Sequence, residues 1–216
     1  MSFKSALIAT AFVAGSAQAA LVVTEVHSTG SSSTTYTADW FELTNTGTTD
    51  IDITGYRVDD DSNTFANARA LRRVTVIPAG KSAIFMETAA DDSNGASKIA
   101  SFISAWFGGS APAGFLIGTY GGAGIGFGSG GDQVNIFTGA GAAVHSVSFG
   151  GAFNGITFSN PTGASGLITT LSSVGVNGAF ASVAGGEVGS PGLIPTPGAV
   201  ALLGVAGLIA GRRRRA

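Results

Sequence analysis

The chain contains short segments of alternating or β-branched apolar residues, each followed by turn-forming residues. Clear examples are Leu21–His27, Trp40–Asn45 and Asp132–Phe137, which are six or seven residues long. Segments of this length and pattern are typical of β-strands. Glycine supplies 34 of the 216 residues and charged residues only 11%, which favours many turns around an apolar core. The sequence therefore predicts a mainly β fold, arranged as a sandwich or a barrel.

Further segments extend the same pattern. A third strand is predicted between residues 51 and 58, and others over residues 73–77 and 82–86. Residues 132–137 and 144–149 are predicted to pair as a hairpin.

One segment has helical periodicity instead. A helix is predicted over residues 92–107, capped by Asp92 or Ser93 and ended by Gly108. Its apolar residues recur at helical spacing: Ile99, Phe102, Ile103 and Trp106. Such a stripe most often packs on a sheet. The following residues, 108–131, are predicted to be a glycine-rich loop with one short strand at residues 115–119.

The body of the chain resembles the lamin-tail domain, an immunoglobulin-like β-sandwich. The resemblance is carried by Leu-Val-Val-Thr-Glu at residues 21–25, Asp-Trp-Phe-Glu-Leu-Thr-Asn at residues 39–45, Ile-Asp-Ile-Thr-Gly-Tyr at residues 51–56 and Ile-Pro-Ala-Gly at residues 77–80. Weaker matches at residues 131–137, 144–149 and 189–192 extend it over about residues 21–192, with the helix and glycine-rich loop as an insertion.

The resemblance implies structural roles for several of these residues. Trp40 or Phe41, together with Leu43, would fill the core, and Asn45 or Gly47 would make a turn. The family implies a binding or scaffold module, sometimes attached to exported nucleases, and supplies no catalytic residues.

The C-terminal residues 193–216 combine a proline-marked linker, an uncharged apolar run over residues 198–211 and four arginines. A 14-residue helix is about 21 Å long, short of the roughly 30 Å hydrocarbon core. This order predicts a marginal anchor in the inner membrane, with the arginines on its cytoplasmic side. The alternative is a buried C-terminal helix. The predicted membrane and topology residues are Gly204, Gly207, Arg212, Arg213, Arg214 and Arg215.

This tail resembles the PEP-CTERM sorting signal of Gram-negative bacteria. Pro195, Thr196 and Pro197 stand where that family has Pro-Glu-Pro, so the motif is a variant. The resemblance implies recognition by an exosortase-type membrane protease that cuts near these three residues.

The N-terminal residues 1–19 have the pattern of a secretory signal peptide. Lys4 precedes a short apolar core at residues 6–14, and Ala17 and Ala19 form a small-x-small site for signal peptidase. Residues 20–192 are therefore the predicted exported domain. The lack of cysteine leaves this domain to rely on its apolar core.

Charge argues against nucleic-acid binding. Lys4 and the four C-terminal arginines lie in the targeting segments, which leaves six basic residues against 13 acidic ones in the body, a net charge of about −7. An acidic surface repels phosphate backbones.

The sequence contains no recognisable catalytic pattern, so the chain is predicted not to be an enzyme. His27 and His145 are the only histidines and lie far apart in the sequence. The Gly-x-Gly-x-x-Gly match at residues 126–131 precedes a strand, whereas the dinucleotide fingerprint follows one, so it is predicted to be a loop without a cofactor.

The acidic run after the third strand is a candidate calcium loop. Asp59, Asp61 and Asn63 supply oxygen ligands at the spacing of such loops. Thr64 and Ala70 then stand where glycine and glutamate are required. An acidic, solvated turn is the favoured interpretation.

Together these patterns predict an exported, non-catalytic protein of the cell surface or extracellular matrix. It would bind or assemble through the sandwich faces and the loops at residues 28–33 and 121–131, with extracellular polysaccharide or surface proteins as partners. The alternatives are an accessory domain of an exported hydrolase or nuclease, in which His145 or Asp132 would matter for turnover, and a tail-anchored periplasmic binding protein.

Overall fold

The computed structural model describes residues 21–192. Its helices are α1 (Gly30–Ser33) and α2 (Gly95–Phe107). Its strands are β1 (Leu21–His27), β2 (Trp40–Asn45), β3 (Ile51–Asp52), β4 (Arg57–Asp59), β5 (Arg69–Ala70), β6 (Val76–Ile77), β7 (Ser82–Thr88), β8 (Leu116–Gly121), β9 (Asp132–Phe137), β10 (Ala143–Phe149), β11 (Phe158–Ser159), β12 (Gly166–Ile168), β13 (Phe180–Ala181) and β14 (Val188–Gly189).

Two five-stranded sheets form the body of the fold. The first sheet has the order β11-β1-β2-β7-β8, and the second has the order β12-β10-β9-β4-β5. Two short ribbons, β3-β6 and β13-β14, lie outside these sheets. The predicted mainly β sandwich with one amphipathic helix is confirmed. Among the described residues, no helix has the length and apolar character needed to cross a membrane.

The main core fills the space between the two sheets. From the first sheet, Phe41 stacks on Phe85 with ring centroids 5.6 Å apart, and Leu43 lies beside them. From the second sheet, Val134 and Ile136 complete the same cluster. All five side chains are fully buried, as expected where the apolar faces of two sheets pack together.

A second core lies on the opposite, outer face of the first sheet. There Trp40 and Met86 pack against Phe102 and Trp106 of helix α2. Trp40 meets Trp106 edge to face at 6.0 Å. The first sheet is thus covered on both faces, which is why every residue of β1 and β2 is buried. Trp40 and Phe41 are both core residues, but in different cores, because adjacent residues of a strand point to opposite faces.

A β-bulge between Val23 and Glu25 changes which residues of β1 face outward. Strict alternation would place Leu21, Val23, Glu25 and His27 on one face. The extra residue shifts the alternation by one, so that Val26 joins Val23 in the main core.

Helix α2 begins at Gly95, three residues later than predicted, with Asn94 rather than Asp92 or Ser93 at the N-cap position. Asp92 instead pairs with Arg73 at 2.7 Å. Gly108 ends the helix in the left-handed conformation, as predicted. The helix connects β7 to the parallel strand β8, as expected for a crossover between parallel strands.

Two further predictions were incomplete. The third strand is divided into β3 and β4 by a turn at Gly55, where φ is +79°. The glycine-rich loop, predicted as largely irregular, returns Ile125 and Phe127 to the main core. Strands β11–β14 were not predicted, because two- and three-residue strands have too short an apolar pattern to recognise.

Candidate functional site beneath the closing segment

The most unusual chemistry of the described residues lies on the outer face of the first sheet, beside the second core. The last described residues, 187–192, cross this face and are called the closing segment. Beneath them lie two glutamates, Glu25 of β1 and Glu42 of β2, each with no exposed surface.

Glu25 holds the closing segment through Ser190. The Ser190 amide donates to Glu25 Oε1 at 2.8 Å, and the Ser190 hydroxyl donates to Oε2 at 3.0 Å. The Thr157 hydroxyl also donates to Oε1, at 2.5 Å. Neutral donors thus satisfy both oxygens of this buried carboxyl.

Glu42 holds the end of the closing segment. Its Oε2 accepts the amide of Gly192 at 2.6 Å, and its Oε1 accepts the hydroxyl of Thr24 at 2.7 Å. Thr24 is the bulge residue of β1, so the same irregularity that turns Glu25 outward also supplies a donor to Glu42.

The two carboxyls are close neighbours without a paired cation. Glu25 and Glu42 are directly opposite each other in the β1–β2 pairing, where Cβ atoms are about 4.5–5.5 Å apart. Within residues 21–192, no lysine or arginine forms an ion pair with either group. Burial raises the pKa of Glu25 to about 7. Burial, and then repulsion from Glu25, raises the pKa of Glu42 to about 8. At least one of the two therefore carries a proton at neutral pH.

A second polar group lies farther along the same face. His27 is fully buried and stacks on Trp40, with ring centroids 5.6 Å apart. Its Nε2 lies 3.8 Å from Glu187 Oε1, and the Tyr36 hydroxyl donates a short hydrogen bond to the same oxygen. Burial lowers the pKa of His27 to about 4, so His27 and Glu187 do not form an ion pair at neutral pH. A neutral, buried histidine without solvent contact has no access to a substrate.

His145 joins the two sheets. Its Nδ1 accepts the Val23 amide at 3.2 Å, so its Nε2 carries the proton and donates to the Gly163 carbonyl at 3.0 Å. Burial lowers the pKa of His145. The two histidines therefore do not form one site. His27 lies on the outer face of the first sheet and His145 lies between the two sheets, and both have structural roles.

Replacing His145 by alanine is expected to destabilise the domain by about 1–3 kcal/mol at pH 7, because the Val23 amide and the Gly163 carbonyl lose their partner. A glutamine at this position offers both an acceptor and a donor and should recover part of the loss. Since the folded-state pKa is lowered, this contribution is present above about pH 6.5 and is lost as the pH falls. Urea unfolding at several pH values measures it. An alanine variant as stable as wild type would contradict the assignment.

The candidate calcium residues do not converge. Asp59 is buried, and its Oδ2 accepts the Ser62 hydroxyl and the Thr64 amide at 2.6 and 2.7 Å. Asp61 and Asn63 are exposed. The Asp61 amide donates to Asp132, whose carboxyl thus holds the turn against β9. Among residues 21–192, no group of three or more histidine, aspartate or glutamate side chains is placed to hold a metal ion.

The remaining predicted residues lie outside the described residues. They are the processing residues Ala17, Ala19, Pro195, Thr196 and Pro197 and the membrane residues Gly204, Gly207, Arg212, Arg213, Arg214 and Arg215. Glu25 and Glu42 were not among the predicted site residues. The available signal was a single glutamate inside each of two otherwise uncharged strands.

In a comparison with known families, the family model described as Lamin Tail Domain matches residues 14–151, more than half of the chain. Strands β1–β10 lie within the match, and β11–β14 with the closing segment lie beyond it. No curated protein and no solved structure matches the chain.

Proposed function

Because the chain belongs to the lamin tail domain family, we propose that it is a non-catalytic binding or structural module, exported to the cell surface or the extracellular matrix. The family has an immunoglobulin-like fold of the binding and structural kind and is not a known catalytic family. The buried positions of His27, Glu25 and Glu42 support the non-catalytic assignment, because a catalytic group must reach its substrate.

The observation that carries the export proposal is the short stretch of chain between the end of the folded domain and the predicted cleavage site. The amide of Gly192 is bonded to Glu42, and only Leu193 and Ile194 separate Gly192 from Pro195. A cut at residues 195–197 would therefore leave every described strand and helix in the product. In this proposal, signal peptidase removes residues 1–19, the tail holds the chain briefly at the inner membrane, and an exosortase-like protease then releases it.

An apolar pocket supports a role in association. Phe153 and Leu167 are 58% and 67% exposed. With Phe158 and Leu171 they line a pocket of about 250 Å³ at the edge strands β11 and β12. Exposed apolar surface of this kind marks binding regions. In the two loops predicted from the sequence, Thr29 and Ile125 are buried, whereas Ser32, Ser33 and residues 128–131 are exposed.

Intact-mass analysis of the protein from its native host, with and without the membrane protease, tests the proposal. A product ending between Pro195 and Pro197, absent when the protease is deleted, is expected. A full-length product retaining Arg212 to Arg215 would instead identify a tail-anchored protein at the outer side of the inner membrane.

A further inference from the structure

We propose that Glu25 and Glu42 form a proton-dependent latch, which holds the end of the closing segment on the first sheet and releases it when the two carboxyls ionise. The latch is a property of the domain, so it stands whether or not the tail is cut.

The two halves of the closing segment are held by different groups. Its first half is fixed by the Tyr36–Glu187 hydrogen bond and by backbone bonds: the Val188 amide donates to the Gly155 carbonyl at 2.7 Å, and the Val188 carbonyl accepts the Thr157 amide at 3.1 Å. Its second half is fixed by side chains: the Ser190 amide and hydroxyl and the Gly192 amide all donate to Glu25 or Glu42. The end of the segment is therefore the part that depends on the carboxyls.

The groups around the two carboxyls are neutral hydrogen-bonding groups. On β1 and β2 they are Thr24 and Thr44, whose hydroxyls lie 2.7 Å apart. On β7, Ser82 bonds to Thr44. Thr157, just before β11, shares a hydrogen bond with Ser172, which follows β12. Hydroxyls can donate or accept, so they can serve a carboxyl in either protonation state.

The charged and titratable groups of these elements do not neutralise the pair. His27 of β1, together with Tyr36 and Glu187, forms the separate group described above. Lys81, just before β7, lines a pocket of about 160 Å³ beside Gly192. It forms no ion pair with Glu25 or Glu42 within the described residues. Two buried like charges without a partner are strongly unfavourable.

Opening of the latch is therefore coupled to proton release. In the closed form the pKa values are raised to about 7 for Glu25 and about 8 for Glu42, whereas a hydrated glutamate has a pKa of about 4.3. For each carboxyl that is protonated only in the closed form, the opening equilibrium rises about tenfold per pH unit. The closed form is favoured fully below about pH 4.3, and its advantage is lost as the pH rises through about 7 and 8.

Hydrogen exchange of the purified protein, followed by mass spectrometry at about pH 6.5 and about pH 8, measures this opening. After correction for the intrinsic exchange rate, protection of the Ser190 and Gly192 amides is expected to fall at least about tenfold between the two values. Protection in the β9–β10 hairpin serves as the internal reference and should stay nearly constant. Equal protection of the closing segment at both pH values would overturn the proposal.

Matched variants identify the groups responsible. The double variant Glu25→Gln, Glu42→Gln keeps an acceptor for each amide donor and cannot ionise, so protection of the closing segment should no longer depend on pH. Glu87→Gln is the control, because Glu87 is a partly buried glutamate of the same sheet with a raised pKa. This change should leave the pH dependence of closing-segment protection intact. A double variant in which protection of the closing segment still depends on pH as in the wild type would contradict the latch.

Carbon-13 NMR of the glutamate carboxyls in the wild-type protein decides the matter if the double variant does not fold. Titration of Glu25 or Glu42 with a midpoint at or above about pH 6 supports the latch. Midpoints below about pH 6 for both groups, near the ordinary range for glutamate, would overturn it.

Discussion

Replacing Trp40 by alanine is expected to lower the free energy of unfolding by about 3–5 kcal/mol, a large part of the stability of a single domain. Trp40 has no exposed surface. Its ring contacts His27, Phe102 and Trp106 at centroid distances of 5.6, 5.8 and 6.0 Å, and its Nε1 donates to Tyr36 at 3.1 Å. Alanine would leave a cavity between the sheet and helix α2 and remove this donor.

Urea unfolding monitored by circular dichroism measures the effect. Phe153→Ala is the matched control, because Phe153 is an aromatic residue that is 58% exposed, and its loss should change stability by no more than about 0.5 kcal/mol. A Trp40 variant no less stable than the Phe153 variant would show that the second core does not contribute as described.

Ending the chain at Gly151, the limit of the family match, is expected to abolish cooperative folding, whereas ending it at Gly192 should leave the melting temperature nearly unchanged. The shorter chain lacks β11 and β12, which pair with β1 and β10. It also lacks Phe158 and Ile168 of the main core. Glu25 and Glu42 would also lose Ser190 and Gly192, which hold the closing segment on the first sheet.

Differential scanning calorimetry of the two shortened chains tests this prediction. The chain ending at Gly192 should show one sharp transition, and the chain ending at Gly151 should show none. A cooperative transition in the shorter chain would mean that the matched residues fold alone and that β11–β14 are an addition to a complete domain.

The longer strands were predictable because each contains enough residues to show its pattern. Strands β1, β2 and β9 have the predicted bounds, and the predicted hairpin of β9 and β10 is present. The helix was predictable from the spacing of Phe102 and Trp106. Strand β5 and strands β11–β14, of two or three residues each, were not predicted, because their position depends on the strand beside them rather than on their own residues.

The candidate site was much less predictable. His27, His145 and Asp59 were candidate residues in the sequence because imidazole and carboxylate groups are common catalytic groups and metal ligands. The structure uses all three in buried, structural positions. Glu25 and Glu42 stand out in the sequence only as parts of the family pattern, since no neighbouring residue shows that a distant segment will cover them.

The sequence by itself determined the strand and turn pattern, the amphipathic helix and the lamin-tail character of this protein, because these depend on residue spacing along the chain. Tertiary structure alone decided that β1 contains a bulge and that Trp40 and Phe41 fill different cores. It also brought Ser190 to Glu25, 165 positions away, and Gly192 to Glu42, 150 positions away. The physical reason is that burial belongs to the packed fold. A glutamate in a strand is ordinary in water, and its pKa and its partners change only when another segment excludes that water.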